Sequence, residues 1–165
     1  MAVAATIGRC SLNDCGQCRG TDAERNRCTR RSDRRHAACR GRPDLYECKT
    51  GTDGKLLWTF REPIATLLLD GKTVGRHYAG PNWEHIDGSA VAAKVAANAP
   101  GKTPNDIPWL KLGASAHRGR GTLSGVTTVQ RINTQGGVLA GSCEAAGAFH
   151  AAPYAADYVF LQKGG

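Results

Sequence analysis

Up to Arg42 the chain has no lysine and no aromatic residue, and after Leu12 no valine, isoleucine or leucine. That scarcity excludes an element packed by hydrophobic burial alone, because ordering backbone costs roughly 1–2 kcal/mol per residue and nothing there offsets it. Other absences narrow the function classes. The longest apolar runs, such as Ile64 to Leu69, fall far short of the roughly 20 residues that span a bilayer as a helix. No Gly-x-Gly-x-x-Gly follows a strand, so a dinucleotide site has no support. Gly101-Lys102-Thr103 imitates the end of a phosphate loop, but the earlier glycine is missing and Pro100 and Pro104 forbid the following helix. Ser89 and Ser124 sit in no Gly-x-Ser-x-Gly elbow. Met1 to Ile7 lacks the positive charge and apolar length of a secretory leader, so the sequence as given reads without a signal peptide.

What is present is unevenly divided. The 165 residues suit one domain and carry a net charge of +8 with seven cysteines. Residues 1–42 hold ten arginines against four acids, hence +6, and five of the cysteines; the rest holds 12 Lys+Arg against 10 Asp+Glu, hence +2. The expected organisation is an Arg/Cys-rich arm over residues 1–42 and a single β domain over residues 43–165. Three readings fit the arm. Cys15-x2-Cys18 and His36-x2-Cys39 have the pair spacing of a zinc site, whose metal would replace the missing core. A disordered basic arm needs no site. Arg, Cys, Gly and Ala without Lys or aromatics is also what out-of-frame translation of GC-rich DNA yields. Disorder or a frame error ranks above zinc, because the stretch between the pairs is almost entirely charged, small or Cys28, unlike a zinc ribbon.

Residues 43–165 read as all-β. Asp44 to Lys49 precedes the Asp53-Gly54 turn, and Lys55 to Arg61 alternates with a period of two. Ile64 to Leu69, Thr73 to Ala79, Ile107 to Ala116, Leu123 to Asn133 and Tyr154 to Gln162 continue the pattern. In the last, Tyr154, Ala156, Tyr158 and Phe160 share one face. Ser89 to Ala97 has helix-favouring alanines, yet Val91, Ala93, Val95 and Ala97 alternate, and a strand is expected. The set predicts an antiparallel β-sandwich or partly open barrel of about eight strands. Cys48 and Cys143 are either one disulfide, closing a loop of about 95 residues, or two buried free thiols.

The segment Gly75 to Ser89 is the most distinctive, with His77, Tyr78, Trp83, Glu84, His85 and Asp87 around a Gly80-Pro81 turn. Imidazoles, carboxylates and aromatic faces in one loop suit a ligand or catalytic site. A divalent metal could be held by His77 and His85 with Asp87 or Glu84. The plainer reading is structural, with His77 and Asp87 bonding backbone across the loop and Trp83 packing as a lid. Arg131, within an alternating strand, is expected to be a structural charge paired with Asp157 or Glu62.

These residues resemble domain-of-unknown-function family 3455, found in bacteria and fungi. The resemblance runs over about residues 45–162. It is carried by Tyr46-Glu47-Cys48, Trp58-Thr59-Phe60 with Glu62-Pro63 and Ala65, the Gly75 to Ser89 motif, and Ile107-Pro108-Trp109-Leu110. It continues through Gln130 to Thr134, Gly136-Gly137, Cys143, and Pro153-Tyr154 to Phe160. The resemblance implies a secreted or periplasmic β-rich protein, normally made with a signal peptide, and supports pairing Cys48 with Cys143. Residues 1–42 do not match it. It supplies no reaction; a dehydrogenase label on some relatives finds no dinucleotide motif here. The expected function is a binding or structural module of the extracytoplasmic space whose partner is a small molecule, glycan or protein, without a cofactor. The alternative is a metal-dependent enzyme using His77, His85 and Asp87. A third is a zinc-stabilised nucleic-acid binder through residues 15–39, although a near-neutral domain makes nucleic acid a poor partner.

Overall fold

A computed structural model describes residues 34–162, with side chains from residue 43 onward. Nine strands follow one another: β1 Arg34–Thr50, β2 Leu56–Pro63, β3 Ala65–Leu69, β4 Lys72–Tyr78, β5 Asn82–His85, β6 Ala90–Ala99, β7 Trp109–Arg118, β8 Val126–Gly136 and β9 Phe149–Gln162. All pair antiparallel in one sheet of order β2-β1-β3-β4-β5-β6-β7-β8-β9, and β9 returns to pair with β1. The result is a nearly closed barrel, which decides between the sandwich and barrel expectations. β1 starts at Arg34, so it crosses the compositional boundary near residue 42, and a compact unit also begins there. The readings of disorder, frame error and zinc ligation by Cys15 and Cys18 fall outside the described residues. His36 and Cys39 stand in β1, opposite Val159 and Ala156 of β9. Among the described residues no helix is long and apolar enough to cross a membrane.

The short-range chemistry explains the turns. Asp70 and Gly71 both have positive φ, 50° and 76°, the pair of angles a two-residue hairpin between β3 and β4 requires. β2 and β3 share one edge of β1: Asp44 to Thr50 pairs with β2, and Ala38 pairs with Leu68 of β3. The break between them falls at Pro63, which cannot donate to the ladder, and Ile64 N–H bonds the Pro43 carbonyl instead. β2 and β3 thus behave as one interrupted strand, and the β1–β3 junction is the seam of the ring.

Alternation fills the interior. Leu67, Trp83, Val91, Leu112, Val126, Val129, Tyr158 and Phe160 are all buried in one cluster. The four residues of β9 expected to share a face, Tyr154, Ala156, Tyr158 and Phe160, are all inside. The alanine-rich segment is strand β6, because β7 pairs with it from Ala90 to Ala99 and β5 pairs with its other edge over Ala90 to Ala92. Cys48 and Cys143 form a disulfide with Cα atoms 5.9 Å apart. It ties β1 to the 141–148 loop, whose Gly147 N–H also donates to the Cys48 carbonyl and whose Cys143 N–H donates to Leu56. Such a bond is compatible with an extracytoplasmic location.

Candidate functional site

The period of two divides the Gly75 to Ser89 candidates among three places. β4 and β5 form a hairpin around Ala79-Gly80-Pro81, with Gly80 at φ 89°. His77 lies opposite Trp83 and Arg76 opposite Glu84, so the first pair faces the interior and the second faces out. Inside, the His77 and Trp83 rings stack at 4.5 Å, and Tyr158 tilts against both. His77 Nδ1 lies 2.9 Å from the Asn82 carbonyl, which can only accept, so Nδ1 carries the proton and Nε2 keeps its lone pair. Burial pushes the imidazole down to about 4, although that hydrogen bond works in the opposite direction. Trp83 is therefore a core residue at 1% exposure, not a lid.

Outside, Glu84 Oε2 accepts from Arg76 at 3.0 Å, Arg118 at 2.8 Å and the Tyr78 hydroxyl at 3.1 Å. The Arg76 hydrogen bond does most to hold its carboxyl below the ordinary value. At the end of the barrel away from the β4–β5 turn, Asp87 fixes two loops together. Its Oδ1 accepts from Ser89 Oγ at 2.6 Å and Ser89 N at 2.9 Å, and its Oδ2 from Thr122 N at 2.8 Å. These bonds, the Ser89 hydroxyl first, hold the carboxylate far below its usual range. His85 Nδ1 stands 3.0 Å from Asp87 Oδ2. The Ser89 hydroxyl is spent on Asp87 rather than on an imidazole, so this cluster is a loop clasp and not a nucleophile with its base.

His85 and Asp87 thus stand together, but His77 is in the interior and does not join them. Among the described residues no group of three His, Cys, Asp or Glu side chains is placed to hold a metal ion. The expected Arg131–Asp157 pair also fails, for a reason of register. Arg131 lies opposite Tyr158 and Ile132 opposite Asp157, so Arg131 faces the interior while Asp157 faces out. Arg131 gives Nε and Nη2 to the Pro108 carbonyl at 3.1 and 2.9 Å, and Asp157 accepts from Asn133 at 2.8 Å. Nor does Arg131 pair with Glu62, which meets Arg61.

A cavity of about 340 Å³ opens at the end of the barrel that carries the β4–β5 turn and the β6–β7 connection. Its wall is mostly apolar and aromatic: Tyr46 of β1, Phe60 and Pro63 of β2, Pro81, Val95 of β6, Ile107, Leu110 and Leu112 of β7, and Tyr158 of β9. Four polar residues interrupt it, namely Asp44, His77, Arg131 and Arg61, beside the indole of Trp83. Asp44 is only 2% exposed, and burial raises its carboxyl to about 7 against the pull of Arg131. Among the described residues, its Oδ1 and the Trp83 Nε1–H have no hydrogen-bond partner. Tyr46 is anchored through its hydroxyl, which donates to the Gly137 carbonyl at 2.8 Å.

Of this pocket, sequence reasoning singled out His77 and Trp83 as site residues, took Arg131 for a structural charge, and missed Asp44. The signal for Asp44 was its register: Asp44, Tyr46 and Cys48 alternate, and the last two are the inward residues of β1. A carboxylate on the inward face of a strand is the kind of buried polar group that calls for an explanation.

The fold and site define a class: an all-β barrel, tied by one disulfide, with a largely apolar pocket at one end whose wall holds buried ionisable groups. Within that class the chain belongs to the family described as protein of unknown function (DUF3455), whose model matches residues 68–162. Tyr46-Glu47-Cys48 and Trp58-Thr59-Phe60 lie before the matched segment. No curated protein and no solved structure matches the chain.

Proposed function

We propose that the protein is an extracytoplasmic binding module that takes a small molecule into the pocket at the β4–β5 end of its barrel. The observation that carries this reading is the cavity itself, about 340 Å³, with a mostly apolar and aromatic wall to which Asp44, His77 and Arg131 add a few polar groups. Eight-stranded barrels are either filled by their own side chains or hold one small ligand; counting β2 and β3 as one interrupted strand puts this barrel in that class, and its cavity favours the second case. The disulfide supports secretion into an oxidising compartment. The test is titration with the neutral apolar fluorophore N-phenyl-1-naphthylamine. Saturable binding at one site, abolished by Val95→Phe at the half-exposed rim of the cavity, is expected. Binding that survives Val95→Phe, or no binding, overturns the reading.

A further inference from the structure

The pocket reading leaves open which molecule the cavity selects, and the charges around it narrow the choice. Arg61, at the rim, is matched by Glu47 at 3.5 Å and Glu62 at 3.4 Å, and its guanidinium lies 5.0 Å from the Phe149 ring centre. Arg131 is not matched. Among the described residues no carboxylate lies within ion-pair distance of it, and only the neutral Pro108 carbonyl receives its protons. That carbonyl fixes the guanidinium in place while leaving Nη1 uncommitted. Asp44 is the other charge-bearing group on the wall, and its burial works against the ionised form. The pocket therefore carries an excess of positive charge at Arg131, enclosed by the aromatic rings of Tyr46, Phe60, Trp83 and Tyr158.

We propose that the pocket selects an aromatic monocarboxylate, with Arg131 receiving the carboxylate and the apolar wall receiving the ring. This rests on the pocket reading above. A guanidinium held by one carbonyl is preorganised, so little rotamer freedom is lost when the acid arrives. Hydrogen bonds from a charged donor to a carboxylate are roughly twice as strong as neutral ones, which separates the acid from its amide. A ring stacked or set edge-on against the aromatic lining supplies the remaining affinity.

The experiment uses the full chain and three probes of one shape: 3-phenylpropionate, 3-phenylpropanamide and 3-phenylpropylamine. Each is titrated by calorimetry and by displacement of N-phenyl-1-naphthylamine. The acid is expected to bind about tenfold tighter than the amide, with the amine weakest. Arg131→Gln is expected to remove the advantage of the acid over the amide. Should Arg131→Gln lose its fold by circular dichroism, Arg131→Lys keeps a positive charge but lacks the planar fork, and is expected to weaken the acid severalfold more than the amine. Equal affinity for acid and amide, or an amine that binds as well as the acid, overturns the selectivity while N-phenyl-1-naphthylamine binding sustains the pocket. An acid advantage undiminished in both variants overturns the role of Arg131. Absence of binding by all three probes and by the fluorophore removes both readings together.

Discussion

Two buried groups in one pocket respond to acid in opposite senses. Asp44 is raised from 3.8 to about 7, so its neutral form is the one the fold favours. Its contribution to stability is full below about pH 4, and is lost as the pH rises to about 7. His77 is lowered from 6.5 to about 4, so its contribution is full above about pH 6.5 and is lost as the pH falls to about 4. Each shift corresponds to about 3–4 kcal/mol at its limit. The two slopes oppose each other between about pH 4 and 6.5, and the wild-type chain is expected to be nearly flat there. Urea denaturation from pH 4 to 8 separates them. Asp44→Asn should gain on wild type as the pH rises through that range, and His77→Phe should gain as it falls. A constant offset for either variant would show that the group does not titrate as its burial dictates. Truncating Trp83 is a different matter, since the indole fills the centre of the core. Trp83→Ala should cost about 3–5 kcal/mol at every pH, measured as a drop in urea midpoint.

At the scale of elements, the β4–β5 hairpin depends on one glycine. A Cβ at Gly75 would overlap the Glu84 carbonyl of β5, which is backbone and cannot turn aside. Gly75→Ala should therefore destabilise by at least about 2 kcal/mol and broaden the amide resonances of β4 and β5, whereas Gly113→Ala, which meets open space, should not. The same hairpin marks where sequence reading succeeded and where it stopped. Alternation located β9 through Tyr154, Ala156, Tyr158 and Phe160, because each inward position there is filled by a ring or an alanine that must be buried. β5 was hidden: it spans only Asn82–His85, and Trp83 is its one fully buried side chain, too few repeats for a period to register. The helix-like alanines of β6 were resolved by alternation at Val91 and Ala93, but its second half is exposed and Val95 serves the rim of the cavity instead of the core. The pocket was less legible than the strands. Its wall draws single residues from strands far apart in the chain, and a cavity formed by registry across a ring has no local motif. Asp44 and Arg131 were recognisable only as charges at inward positions of β1 and β8.

At the scale of the molecule, the ring is secured by contacts between distant parts of the chain. Cys48 and Cys143 are 95 residues apart, and in the chain-entropy account that cross-link contributes up to about 4–5 kcal/mol. The double variant Cys48→Ser/Cys143→Ser, or wild type under dithiothreitol, should lose most of that amount in urea melts. An unchanged midpoint would show that the loop around residues 141–148 is held by its backbone bonds alone. β1 pairs with β9 from Arg34↔Leu161 to Glu47↔Phe149, so the first described strand finds its main partner in the last. A nascent or truncated chain that stops short of β9 therefore carries two bare ladders, one on β1 and one on β8, with nothing of its own to cover them. Such open edges are templates for intermolecular pairing. This architecture makes the final fourteen-residue strand a checkpoint for assembly: the chain is aggregation-prone until Phe149–Gln162 has arrived, and monomeric closure waits on it.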